Sequence, residues 1–117
     1  MSYVKYRNIK TEVDGIKFDS MAESRRYREL KLLVQAGLIT DLELQPKYEL
    51  QAKYTNGEGR KIQALSYIPD FRYMDVESGC LVVEDCKREQ TATVQYKIKR
   101  KLFEKVYYPL VITEVDA

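Results

Sequence analysis

Leu81-Val82-Val83 is the most apolar stretch of the chain, and it runs straight into Glu84 and Asp85. Cys80 to Cys86 therefore reads as an apolar strand ending in charge, where an unpaired carboxylate is costly. Any fold the chain adopts has to give Asp85 a partner. Glu77-Ser78-Gly79 ahead of it is a turn, and Ile62 to Met74 before that reads as a long strand interrupted near Pro69. With the turn centred at Ser78, residue 70 falls opposite about residue 86, which sets Asp70 and Asp85 side by side. Asp85 and Lys87 are two apart on a strand, so they point to one face, shared with Val83.

The remaining elements follow from local signals. Asp14-Gly15 lies between Thr11-Glu12-Val13 and Ile16-Lys17-Phe18, and Asp-Gly supplies the positive φ angles of a two-residue hairpin turn. Ser20-Met21-Ala22-Glu23 is a capping box that opens a helix running to about Gln35-Ala36-Gly37, where glycine suits a left-handed cap. Leu42-Glu43-Leu44 and Tyr48 to Ala52 alternate as strand, with Pro46 marking an irregular or edge position. Asn56-Gly57-Glu58-Gly59 is a loop tip. A second helix fits Thr93 to Tyr107, ahead of Pro109, and Leu110 to Val115 makes a last strand. The expected fold is α/β, a mixed sheet flanked by helices. It forms one domain over 1–117, with an N-terminal arm and hairpin at 1–18 and the core at 19–117.

The chain has 117 residues, 44% hydrophobic and 32% charged, as a globular domain does. It contains no histidine, which excludes His-ligated zinc, Ser-His-Asp triads and histidine-based nucleases. Cys80 and Cys86 read as reduced thiols of a cytoplasmic protein. No apolar run approaches the length of a membrane span, and residues 1–10 are too polar for a signal peptide. The net charge is +2, yet Lys87 to Lys105 holds seven basic against two acidic residues. Such asymmetry suits a polyanionic partner on one face.

Two adjacent carboxylates repel unless a proton or a cation lies between them. A hard divalent ion resolves the conflict, because Mg²⁺ takes one or two carboxylates and keeps open positions for water and phosphate oxygens. A lysine beside that site would stabilise charge building on phosphorus. Glu23 heads the stripe of Tyr27, Leu30 and Val34 that faces the sheet, so it can cap the helix and still point at the strand ends. The residues alone leave a second reading open, with Asp85–Lys87 a surface ion pair, Asp70 part of a turn and Glu23 only a cap.

Pro69-Asp70 followed by Asp85-Cys86-Lys87, with Glu23 upstream on the first helix, resembles the Pro-Asp…(Asp/Glu)-X-Lys signature of the restriction-endonuclease-like nuclease superfamily. That superfamily has an αβββαβ core, which matches the element order expected from Ser20 to Val115. Over nearly the whole chain a closer resemblance extends to small phage and prophage proteins assigned as endonucleases, some as Holliday-junction-resolvase-like. It is carried by Lys5-Tyr6-Arg7-Asn8, Asp14 to Ser20, Leu44 to Tyr48, Tyr67 to Phe71, Val83 to Lys87 and Tyr96 to Phe103.

The resemblance implies a Mg²⁺- or Mn²⁺-dependent endonuclease acting on duplex or branched DNA and leaving 5′-phosphate and 3′-hydroxyl ends. It makes Asp70, Asp85 and the Cys86 backbone carbonyl metal ligands. Lys87 would position the attacking water, and Glu23 would be an outer ligand acting through water. Two features depart from common patterns. Arg88 stands where related sequences often have glycine, and Gln95 is followed four residues later by Lys99 where one branch has tyrosine.

On the second helix, Val94, Ile98, Leu102 and Val106 form the expected buried stripe. Lys97, Arg100 and Lys101 fall on the polar side, and with Arg88 they are the expected DNA contacts, Lys97 foremost. A solvated helix back is the other reading of those residues. Cutting both strands of a symmetric substrate calls for two sites related by a two-fold axis, so a homodimer is expected. The alternative function is a non-catalytic nucleic-acid-binding or phage assembly protein that keeps the fold.

Overall fold

The computed structural model describes residues 11–87 and 93–116. The N-terminal arm at residues 1–10 and Arg88 lie outside them. Strands β1 (Thr11–Val13) and β2 (Ile16–Phe18) pair with Val13 opposite Ile16, leaving Asp14-Gly15 as a two-residue turn with φ of 54° and 76°. Helix α1 (Met21–Gln35) follows, and the Ser20 hydroxyl accepts the Glu23 backbone N–H at 3.1 Å. At its other end Gly37 has φ 75°. The Gly37 and Leu38 N–H groups donate to the Val34 and Leu33 carbonyls, each at 3.0 Å, the paired bonds of a glycine-terminated helix. Both ends of α1 are where the local sequence signals put them.

The chain then forms β3 (Ile39–Leu44), β4 (Tyr48–Gln51), β5 (Tyr54–Thr55), β6 (Lys61–Ile62), β7 (Leu65–Tyr67), β8 (Phe71–Asp75) and β9 (Leu81–Cys86). Helix α2 (Val94–Val106) and β10 (Ile112–Val115) complete it. The central sheet has the order β10-β9-β8-β3, with β3, β8 and β9 antiparallel and β10 parallel to β9. The fold is thus mixed α/β with a mixed sheet, as expected. The stretch from Ile62 to Met74 is not one strand. It divides into β6, β7 and β8, because Pro69 has no N–H to give a ladder and Asp70 turns its carboxylate onto the neighbouring strand. Segment 48–67 leaves the sheet as a two-stranded ribbon, with β4 on β7 and β5 on β6.

Two apolar clusters sandwich the sheet. Phe18, Tyr27, Leu30, Ile39, Phe71 and Tyr73 fill the α1 side. Tyr48, Leu50, Tyr67, Val83, Tyr96, Phe103 and Ile112 fill the α2 side. On that side the stripe expected from Val94, Ile98, Leu102 and Val106 is wrong. Val94 is 73% exposed, Ile98 and Val106 are also exposed, and Leu102 is only partly buried. The helix instead turns Tyr96 and Phe103 inward, and Phe103 packs against the rings of Tyr48, Tyr67 and Tyr107 at 4.9, 5.6 and 5.3 Å. Aromatic rings bury more area than valine or isoleucine, so they set the rotation of the helix.

Phe103→Ala is expected to cost about 3–5 kcal/mol of stability, whereas Ile98→Ala stays within about 0.5 kcal/mol. Urea unfolding of the two variants checks this; equal losses would show that the buried face of α2 has been misassigned.

Candidate active site

Strand alternation sends consecutive residues of β9 to opposite faces. Val83 and Asp85 face α2 while Glu84 faces α1, and both carboxylates are buried, at 1% exposure for Glu84 and 3% for Asp85. The β8–β9 ladder pairs Phe71 with Glu84, so one step on it brings Asp70 level with Asp85, one residue off the expected position. Asp70 is held firmly. Its N–H donates to the Glu84 carbonyl at 3.1 Å, its carbonyl accepts from the Gln45 N–H at 2.9 Å, and its Oδ2 accepts from the Cys86 N–H at 2.8 Å.

Asp85 accepts a short hydrogen bond from the Tyr67 hydroxyl, and Lys87 Nζ stands 3.9 Å from its Oδ1. That ammonium also lies over the Tyr96 ring, 5.2 Å from the centroid, in cation–π geometry. Tyr96 is itself anchored, donating to Glu114 at 2.7 Å. Glu23 reaches the same place from the first turn of α1. With Asp70, Asp85 and Lys87 it lines an open cleft of about 540 Å³, so the structure gathers all four expected residues.

The electrostatics are set by burial and crowding. Desolvation raises the Asp70 pKa well above the ordinary carboxylate range, and neighbouring Asp85 raises it further, against the lowering effect of the Cys86 N–H. Burial also raises Glu23, helped by Asp19 and Asp85 and opposed by Lys87. The Cys86 thiol is pushed up by burial and the surrounding carboxylates, so it stays protonated. An excess of negative charge thus converges on the cleft with Lys87 as the nearest ion-pair partner.

The donor set is all oxygen and suits a hard cation. Among the described residues no three His, Cys, Asp or Glu side chains gather closely enough to hold an ion by themselves. A bound ion would therefore rest on the Asp70–Asp85 pair and complete its shell with water, as Mg²⁺ does. Glu23, standing outside that pair, suits an outer role through water.

The residues of α2 expected to meet DNA take different places in the fold. Arg100 is committed to two ion pairs, with Glu104 at 3.1 Å and Glu114 at 3.0 Å, and is a structural link between α2 and β10. Lys97 and Lys101 are exposed, but neither lines the cleft. Gln95 and Lys99 do, because the aromatic face of α2 turns the helix away from the orientation that its valines and isoleucine suggest. Tyr67 was also missed. Its place two residues before Pro69, in an alternating run, was the available signal.

The face of β9 opposite Asp85 carries a second unforeseen feature. Arg26 grips Glu84 with two bonds of 2.8 and 2.7 Å, and the Tyr73 hydroxyl donates to the same carboxylate. No sequence signal links residues 26 and 84. Arg26→Ala would strand a buried charge and is expected to destabilise the fold by about 3–5 kcal/mol. Thermal melts would show it, and a change below about 1 kcal/mol would mean that Tyr73 and water satisfy Glu84 without the arginine.

Because the folded chain holds the Asp70 proton more tightly than the unfolded chain does, stability is lost as pH rises from the ordinary aspartate range through the raised folded value. Melts in EDTA should show Tm falling by several degrees across that window, and Asp70→Asn should flatten the slope. Added Mn²⁺ should raise Tm more at high pH than at low pH. A wild-type slope unchanged by Asp70→Asn would assign the titration elsewhere.

No curated protein and no solved structure matches the sequence. The family model described as Protein of unknown function (DUF1064) matches residues 3–115. It covers all the residues that line the cleft, and the chain belongs to that family.

Proposed function

We propose that the chain is a divalent-metal-dependent DNA endonuclease. The observation that carries this reading is the convergence of Asp70 and Asp85, with Lys87 Nζ at 3.9 Å, in a cleft open to solvent. The order α1, β3, β8, β9, α2, β10 supports it, being what a restriction-endonuclease-like αβββαβ core would have. So does the choice of residues. A site without histidine that pairs buried Asp85 and half-buried Asp70 with one lysine is suited to metal-assisted phosphodiester hydrolysis.

In this reading Asp70, Asp85 and the Cys86 carbonyl hold Mg²⁺ or Mn²⁺. When bound, the ion supplies positive charge against the phosphate oxygens as negative charge grows in the transition state. Lys87 orients the attacking water and stabilises the same developing charge. Glu23 accepts a hydrogen bond from that water, and burial, which raises its pKa, makes it a better proton acceptor than an exposed carboxylate. Tyr67 fixes Asp85 in one rotamer. Lys99 and Gln95 lie on the opposite wall of the cleft, where the departing strand's phosphates would pass. Two copies about a two-fold axis would present two clefts to a four-way junction or another branched DNA.

The test is cleavage of labelled four-way junction, flap and linear duplex DNA in Mg²⁺ or Mn²⁺. Wild type should cut and Asp85→Ala should not, while Lys87→Ala should lose about 100–1000-fold, the cost of one pre-organised charge-stabilising donor. The preferred substrate identifies the class. Binding without cutting, equal in wild type and Asp85→Ala, would instead leave a non-catalytic DNA-binding or assembly protein.

A further inference from the structure

The ribbon from β4 to β7 is out of proportion to what the fold needs. From Gln51 to Ala64 every residue is exposed except Asn56 and Ile62, which are half-buried. An isolated two-stranded hairpin with both faces in water is marginally stable. This one is nevertheless well ordered at its tip. The Asn56 Oδ1 accepts the Glu58 and Arg60 N–H groups at 2.9 and 3.0 Å, and Gly59 closes the turn with φ 81°. The radius of gyration of 16.5 Å exceeds the roughly 13 Å expected of a compact domain this long, as an arm standing off the body requires.

The composition of the arm indicates what it meets. Lys53, Arg60 and Lys61 are exposed against two acids, Glu49 near the root and Glu58 at the tip, and none of the three bases has an ion-pair partner among the described residues. Thr55 pairs with Lys61, and Tyr54 with Ile62. Alternation therefore puts Lys53, Thr55 and Lys61 on one face and Tyr54 and Ile62 on the other. Lysines on a free strand edge oppose addition of another strand. Tyr54 and Ile62 offer far less apolar area than the roughly 800 Å² per partner of a stable dimer. Pairing of two such arms would also set like charges together. A polyanion is the complementary partner, and a two-stranded ribbon is of a width that the major groove of duplex DNA admits.

The roots of the arm set the register. Gln45 just before it and Tyr67 at its end both line the cleft that holds Asp70 and Asp85. The tip closes where the Asn56 N–H donates to the Arg60 carbonyl, so at about 3.3 Å per residue the strand from Tyr48 to Asn56 reaches roughly 25 Å from its root, or about seven to eight base pairs at 3.4 Å each. We propose that the 48–67 ribbon is a DNA-binding arm. It lies in the major groove on one side of the cut and grips phosphates through Lys53, Arg60 and Lys61, about five to seven base pairs from the scissile bond. The proposal rests on the DNA reading of the cleft, and it adds the length of duplex recognised.

Binding of fluorescein-labelled duplex DNA in EDTA separates the arm from the chemistry. The K53A/R60A/K61A variant, checked for an unchanged melting curve, should bind at least about 10-fold more weakly than wild type. The slope of log K against log salt should be shallower by up to about 2.7, three phosphate contacts at about 0.9 each. Shortening the flank from about twelve to three base pairs should weaken wild type and leave the variant little affected. Equal affinity and slope in variant and wild type would overturn the arm while leaving cleavage intact. A variant that changes only self-association, read by sedimentation, would also overturn it. Wild type that binds by the arm but cuts nothing would retain the arm and discard the nuclease. Absence of any duplex binding would overturn the arm, and the nuclease would then stand or fall on cleavage of the four-way junction.

Discussion

Strand β9 buries two consecutive carboxylates and sends one to each side of the sheet. Both must be satisfied at once, and much of the surrounding architecture can be understood from that demand. On the α1 side, Glu84 receives two bonds from Arg26 and one from Tyr73. Arg26 lies one helical turn after Glu23, so the grip on Glu84 also fixes the rotation of α1 about its axis. Glu23 is thereby presented to the cleft. On the α2 side, Asp85 is served by Tyr67 and Lys87, and each of those is buttressed by Tyr96, whose ring packs 6.3 Å from that of Tyr67.

The two carboxylates differ in how fully they are compensated. Glu84 is enclosed by a bidentate guanidinium and a phenol, which is a structural solution with no vacancy for a ligand. Asp85 has one hydroxyl and a lysine at a looser 3.9 Å, and it shares its surroundings with Asp70, whose carboxyl group takes the Cys86 N–H and a hydrogen bond with Asp85 itself. Burial first, and then the hydrogen bond and charge of Asp85, raise Asp70. Stability alone would not favour this arrangement, since replacing Asp70 with a neutral residue of the same shape would relieve it. A strained polar group kept at the mouth of an open cleft is the pattern expected where binding of a cation has to be favourable.

How much of this was legible depended on whether the signal was local. The Asp14-Gly15 turn, the Ser20 cap and the Gly37 stop are short-range chemistry, and each stands where the residues put it. The juxtaposition of Asp70 and Asp85 was legible within one residue because one tight turn, at Glu77 to Gly79, sets the register. What failed was non-local. The face of α2 was read from aliphatic spacing, but Tyr96 and Phe103 answer to Tyr48 and Tyr67, which reach them from a ribbon whose departure from the main sheet no periodicity foretells. The Arg26–Glu84 pair joins residues 58 positions apart, and a charged residue in an apolar run states a need without naming its partner.

The ribbon and the cleft are connected through one short segment. Tyr67 ends β7 and bonds Asp85, Ile68 and Pro69 follow, and Asp70 then opens toward β8 with its N–H on the Glu84 carbonyl. Pro69 is fully buried and fixes φ, so this link is stiff rather than a hinge. Tyr48, at the base of the other ribbon strand, is likewise pinned. It accepts a bond from Arg72 at 2.9 Å and packs on Phe103. An arm anchored at both roots in the aromatic cluster that supports Asp85 cannot shift without disturbing that carboxylate. Whatever the arm holds is therefore held in fixed register with the cleft, and the distance between them is set by chain length instead of by a flexible tether.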